Sequence, residues 1–156
     1  MSLAEAGFIK IEKLTLNDHE INQVVNVWYD ASVKAHHFIS ERFWYSNREV
    51  MEKLYIPNSE TFVAKREGAI VGFFSLVGNT LASIFVAPDW QGAGIGKALL
   101  LNAQSRRNEL QLNVYRKNKR AIAFYKKYGF FDVEEGLDEN TGEPAITMKW
   151  QETPST

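Results

Sequence analysis

The run Gly92-Ala93-Gly94-Ile95-Gly96-Lys97 constrains the fold of this chain more than any other stretch. Residues 81–87 upstream read as a strand. Downstream, Ile95, Leu99 and Ala103 recur at helical spacing, and the alternation of Leu110, Leu112 and Val114 marks another strand. Strand, glycine turn, helix and strand make a crossover unit. Residues without a Cβ let the chain turn several backbone N–H groups toward one point. A helix starting near Gly94 adds its unpaired amides and the positive end of its dipole. The loop is either an anion cradle or a tight corner packed on the sheet, and the glycines alone weigh the two equally.

Two familiar phosphate loops do not fit. A Walker A loop needs four residues between its first glycine and its Gly-Lys pair, then serine or threonine; here Gly92 and Gly96 enclose three, and Ala98 follows Lys97. The dinucleotide pattern fails because its third glycine falls on Lys97 or on Leu99. Three hairpin-connected strands before the loop, at 61–65, 70–77 and 81–87, also contradict a doubly wound sheet.

Elsewhere, residues 8–14 alternate as a half-buried strand. Asn17 or Asp18 caps a helix with Ile21, Val24, Val25 and Trp28 on one face, and Ser40-Glu41 opens a second, aromatic-rich helix that stops before Pro57. Ala121, Phe124, Tyr125 and Tyr128 share a face of a helix ending at Gly129, and a hairpin over 130–135 and 145–150 closes the chain. The expected class is α/β on a mixed, largely antiparallel sheet flanked by about four helices, in a single domain over 1–156. Residues 1–7 and 152–156 are expected to be flexible, and the first few to come from cloning.

Composition narrows the chemistry. The chain has no cysteine, which removes disulfides, thiolate nucleophiles and cysteine-based zinc sites. His19, His36 and His37 show no metal-binding spacing, so no metal is expected. A net charge of −1 is a poor footprint for nucleic acid, leaving only the run Arg116-Lys117-Asn118-Lys119-Arg120 to explain. No apolar stretch is long enough to span a membrane and no signal-peptide pattern is present, so the expected compartment is the cytoplasm.

The pattern Q-x-x-G-x-G at Gln91 to Gly96, preceded by Ser83-Ile84-Phe85-Val86-Ala87-Pro88, resembles motif A of the GNAT superfamily of acetyl-CoA-dependent N-acetyltransferases. Asn118 to Phe130 resembles that superfamily's N-x-x-A-x-x-F-Y-x-x-x-G-F segment. Ala35-His36-His37-Phe38-Ile39, residues 67–74 and Met148-Lys149-Trp150 are similar to the small bacterial YiaC and YjaB type branch, some of whose members act on protein lysines. The first motif position is glutamine where many relatives carry arginine, so the pyrophosphate loses a charged partner.

The resemblance implies that acetyl-CoA enters between two parallel strands that splay apart. Its pantetheine arm pairs with the backbone of Phe85 and Val86, and its pyrophosphate rests on amides of Gln91, Gly92, Ala93, Gly94, Ile95, Gly96 and Lys97. Asn118 lies on the cofactor side, or caps the next helix, or does both. The basic run at 116–120 faces the cofactor's 3′-phosphate or is a solvated patch. Tyr125 matches the general acid for the leaving thiolate, and the Val86 N–H polarises the thioester carbonyl. His36 is the named candidate for the general base, with His37, Glu60, Glu41 and a water relay as alternatives. Phe38, Phe43, Trp44 and Tyr45 line a groove for an amine stem or pack the core. The expected partner is an amine-bearing small molecule, peptide or protein lysine, and a homodimer stays open. A non-catalytic acyl-CoA sensor is the alternative, and a nucleic-acid-binding domain the third reading.

Overall fold

In a computed structural model of the protein, residues 9–153 are described. The element order is β1 (Lys10–Lys13), α1 (Asp18–Ala35), α2 (Glu41–Ser46), α3 (Arg48–Val50), β2 (Glu60–Arg66), β3 (Ala69–Val77), β4 (Thr80–Val86), α4 (Ile95–Ser105), β5 (Glu109–Tyr115), α5 (Lys119–Lys127), β6 (Phe131–Leu137) and β7 (Pro144–Gln151). The seven strands form one sheet in the order β1-β2-β3-β4-β5-β7-β6. Every neighbouring pair is antiparallel except β4 and β5. The expected mixed sheet is therefore present. Sequence order did not reveal that β7 inserts between β5 and β6. Phe8, expected to open β1, lies outside the described residues, as do most of the ends expected to be flexible; Glu152 donates its N–H to the Asn108 carbonyl at 2.7 Å.

Local chemistry accounts for the helix boundaries. The Asn17 side chain accepts from the Glu20 N–H at 2.8 Å and starts α1, whose Ile21, Val24, Val25 and Trp28 are buried. Ser40 caps α2 by accepting from Arg42 N–H. The expected second helix does not run through to Pro57. Asn47 turns its side-chain amide back onto the Phe43 carbonyl at 2.8 Å, competing with the helical ladder, and the chain continues through α3 into a π-helical turn at Met51–Tyr55.

Helices cover both faces of the sheet. Val24, Trp28 and Trp44 pack with Val63, Ile70 and Phe73 on one face; Leu99, Leu100 and Ala103 pack with Phe62, Phe74, Leu110 and Met148 on the other. In β3 the register steps from Ala64↔Gly72 to Lys65↔Ile70, so Val71 is the extra residue and Ile70 and Phe73 share a face.

Gly72 sets how closely α4 approaches β3. A Cβ there would stand 3.0 Å from Leu99 Cδ1, 3.1 Å from the Phe85 carbonyl oxygen and 3.4 Å from Ile95 Cγ2. The oxygen belongs to the neighbouring strand and has little room to yield. Gly72→Ala is expected to cost about 1–3 kcal/mol of stability, read as a lower denaturant midpoint at unchanged slope.

Candidate functional site

The site is an opening in the sheet. β4 and β5 are paired at a single position, Thr80↔Gln111, and part beyond it. β5 instead stays paired with β7 along its whole length, from Glu109↔Gln151 to Tyr115↔Ala145. On β4, Ala87 N–H donates to the Val71 carbonyl of β3 at 2.8 Å. Because successive amides of a strand alternate in direction, the N–H and C=O of Val86 face the gap. The Val86 carbonyl accepts from Gln91 Nε2 at 3.0 Å. The gap opens into a cleft of about 770 Å³ lined by β4, β5, the end of α1, the glycine loop and one face of α5.

At one end of the cleft lies the glycine turn. Gly92 and Gly94 have φ of 84° and 86°, a left-handed backbone that glycine adopts without strain. Gly94 is the residue before α4, and no side chain caps that helix, so its first-turn amides have no side-chain acceptor. Gln91, Gly92, Gly94, Gly96 and Lys97 line the cleft. Ala93 and Ile95 do not: their side chains are buried in the core, and only their backbone lies in the loop. The cations Lys34, Lys97 and Arg120 line the same cleft. Uncapped amides, left-handed glycines and three cations fit a pyrophosphate, and an unpaired strand edge fits the amide groups of a pantetheine arm.

Lys34 was not legible in the sequence. Its Nζ donates to Gln91 Oε1 at 3.1 Å, so α1 delivers a positive charge to the motif position that carries glutamine instead of arginine. The basic run divides. Arg116 pairs with Glu135 and Lys117 with Glu143, whereas Arg120 turns to the cleft.

Asn118 combines two tasks. Its Oδ1 caps α5 by accepting from Ala121 N–H at 3.2 Å, and its Nδ2 lies 3.4 Å from Nε2 of His36. His36 is 6 % exposed, stacked on Trp44 at 5.1 Å and edge-on to Tyr115. Burial lowers its pKa from 6.5 to about 4, the Ser32 carbonyl offsetting part of the effect. A neutral ring turned toward Asn118 is suited to hydrogen bonding, and it has little affinity for a proton taken from an ammonium. The expectation of His36 as general base fits this environment poorly. Glu60 is held by Arg107 at 2.8 Å, which lowers its pKa; Glu41 accepts from the Tyr29 hydroxyl at 2.7 Å; and neither lines the cleft. His37 is exposed at the turn.

Tyr125 lines the cleft from α5, its ring set against Phe124 and Phe130. Its hydroxyl has no hydrogen-bond partner among the described residues, and burial pushes its pKa up, so the phenol is protonated at neutral pH. Phe85 and Val86 line the cleft from β4. Among the described residues no cluster of histidine and carboxylate side chains is placed to hold a metal ion. No described helix is long and apolar enough to cross a membrane.

Comparison with known proteins agrees with this geometry. Residues 57–131 match the acetyltransferase (GNAT) domain. The chain is 34% identical to the peptidyl-lysine N-acetyltransferase YiaC of Escherichia coli over 84% of its own length and 90% of the relative's. It is 31% identical to the peptidyl-lysine N-acetyltransferase YjaB of Escherichia coli, covering 80% and 85%. The solution structure of apo YjaB superposes with a TM-score of 0.82 at 27% identity, over 94% of this chain and 100% of that one.

The state of His36 can be read from stability. Its folded pKa lies below its unfolded value, so between about pH 6.5 and 4 the unfolded chain binds the extra proton and stability falls as pH falls. His36→Phe, which keeps an aromatic ring against Trp44, is expected to remove about 3 kcal/mol of the acid-side loss across that window. Urea unfolding at matched pH values for the two proteins measures the difference, and parallel profiles would contradict it.

Proposed function

The chain belongs to the GNAT family of acetyltransferases, and on that footing we propose that it moves the acetyl group of acetyl-CoA to the ε-amino group of a lysine in a peptide or protein. Transfer is direct, with both substrates bound. The observation that carries this reading is the opening between β4 and β5, which joins the glycine turn at one end to the Tyr125 hydroxyl along its wall. Two relatives that cover most of the chain are named as peptidyl-lysine N-acetyltransferases, which supports lysine as the acceptor and disfavours a non-catalytic sensor.

Acetyl-CoA supplies the thioester, and the protein supplies position and protons. Val86 N–H, free of the β3 ladder, donates to the thioester carbonyl as negative charge develops there. Amides at Gln91 to Lys97, with Lys34 and Lys97 beside them, hold the pyrophosphate. Asn118 hydrogen-bonds the pantetheine, and His36 steadies the Asn118 amide. The acceptor arrives as an ammonium and gives one proton to water before its nitrogen attacks the carbonyl carbon. The N–C bond forms, the C–S bond breaks, and Tyr125 protonates the departing thiolate. The nitrogen sheds its second proton as the amide forms, and Tyr125 regains one from solvent, so the net release is one proton.

Incubation with acetyl-CoA and a lysine peptide is expected to release free thiol and add one acetyl group to the peptide, seen by mass spectrometry. No release with any amine would overturn the proposal. Tyr125→Phe is expected to lower kcat on the order of 100-fold while CoA affinity, measured by calorimetry, stays within a factor of about two. Lys34→Ala is expected to raise KM for acetyl-CoA about 2- to 5-fold, as removal of one exposed charge should, with KM for the peptide unchanged.

A further inference from the structure

Beyond the parted strands the cleft continues into a second chamber of about 370 Å³, under α2, the π-helical turn and the β6–β7 loop. The two chambers share Trp28, Trp44, Ala82, Ser83, Tyr115 and Asp138, which therefore form the junction. Charge is distributed unevenly along this path. The larger chamber carries Lys34, Lys97 and Arg120, whereas among the described residues the single charged side chain lining the smaller one is Asp138. An anionic ligand is drawn to the larger chamber and a cation to the junction, where Asp138 stands.

Asp138 is held rigid before any ligand arrives. Its Oδ1 accepts from the N–H of Asn140 at 2.9 Å, the N–H of Thr141 at 2.9 Å and the hydroxyl of Thr141 at 3.1 Å. Its backbone is tied at both ends, N–H to the Glu143 carbonyl and C=O from the Gly142 N–H. Its Oδ2 has no partner among the described residues, although a carboxylate oxygen has capacity for one or two donors. Trp28, Trp44 and Tyr115 line the junction, and the face of such a ring attracts a cation. The Asp138 charge also reaches Tyr115, whose phenol is pushed up first by burial and then by this carboxylate. Outward from the junction, Phe43, Met51, Tyr55 and Ile56 line the smaller chamber with apolar surface suited to a chain of methylenes.

We infer that Asp138 is the residue that selects the acceptor: its free Oδ2 receives a primary ammonium carried on an alkyl stem, and the smaller chamber houses that stem. This rests on the acetyltransferase reading and deepens it. A lysine-type side chain fits every part of the path. An acceptor that is anionic or neutral at the reacting end does not, because it brings no cationic donor to Oδ2.

Asp138→Asn isolates the claim, since the remaining carbonyl oxygen still accepts the three bonds that fold the loop while the free oxygen becomes an N–H donor. The binding readout needs no turnover. With CoA in place of acetyl-CoA, tryptophan fluorescence follows binding of Nα-acetyl-lysine amide and of its uncharged isostere, Nα-acetyl-norleucine amide. The native protein is expected to prefer the lysine probe by about 10-fold or more, and Asp138→Asn to lose that preference. In turnover with acetyl-CoA, KM for the lysine probe is expected to rise about 10-fold while kcat changes much less and KM for acetyl-CoA stays fixed. The exposed neighbour variant Glu139→Gln should leave every value in place. Equal preference in native and Asp138→Asn proteins, or none in the native protein, would overturn the inference. Absence of thiol release would instead overturn the proposed function, leaving the binding ratio to decide the role of Asp138.

Discussion

A parallel strand pair that keeps one rung, Thr80↔Gln111, and then separates is the constraint on which the rest of this structure depends. Had β4 and β5 stayed paired, the Val86 amide and carbonyl would have been consumed by the ladder and no cleft would run between the strands. The opening persists because each strand is anchored on its other side: β4 to β3 from Gly72↔Val86 to Val77↔Thr80, with Ala82 as an extra residue in β4, and β5 to β7 along its full length. Backbone polar groups in a sheet are seldom left without partners. An edge inside the sheet is therefore shaped for a ligand that supplies them.

The two helices flanking the gap add charge and a proton donor. α4 starts on a left-handed glycine with no side chain competing for its first amides, and Gly72 allows it to sit tightly on β3. α5 starts on Asn118, which closes its own cap with one side-chain atom and reaches His36 with the other. One asparagine thus links the end of α1, the start of α5 and the cleft wall. That linkage holds His36 on the cleft wall, where burial favours its neutral form.

Along the cleft the electrostatics run from cationic to anionic. Lys34, Lys97 and Arg120 come from three different helices, and Asp138 comes from a loop. In the proposed reaction such a polarity separates an anionic acyl donor from a cationic acceptor. It also gives a physical role to the β6–β7 loop, whose internal hydrogen bonds hold the Asp138 carboxylate in one orientation.

Much of this was legible in the chain because it is local. The hairpin connections between β2, β3 and β4, the caps at Asn17, Ser40 and Asn118, and the left-handed turn at Gly92 and Gly94 each depend on residues a few positions apart, and backbone sterics and helix ends impose them wherever the chain folds. The motifs around Gln91 and Asn118 likewise pointed to the family. Only tertiary structure decided the insertion of β7 between β5 and β6, the delivery of Lys34 to Gln91 across 57 positions, the burial of His36, and the meeting of Asp138 with Trp28, Trp44 and Tyr115. Those contacts join distant segments through packing on a twisted sheet. Desolvation and charge proximity, which set what His36, Tyr125 and Asp138 can do, exist only once that packing is complete.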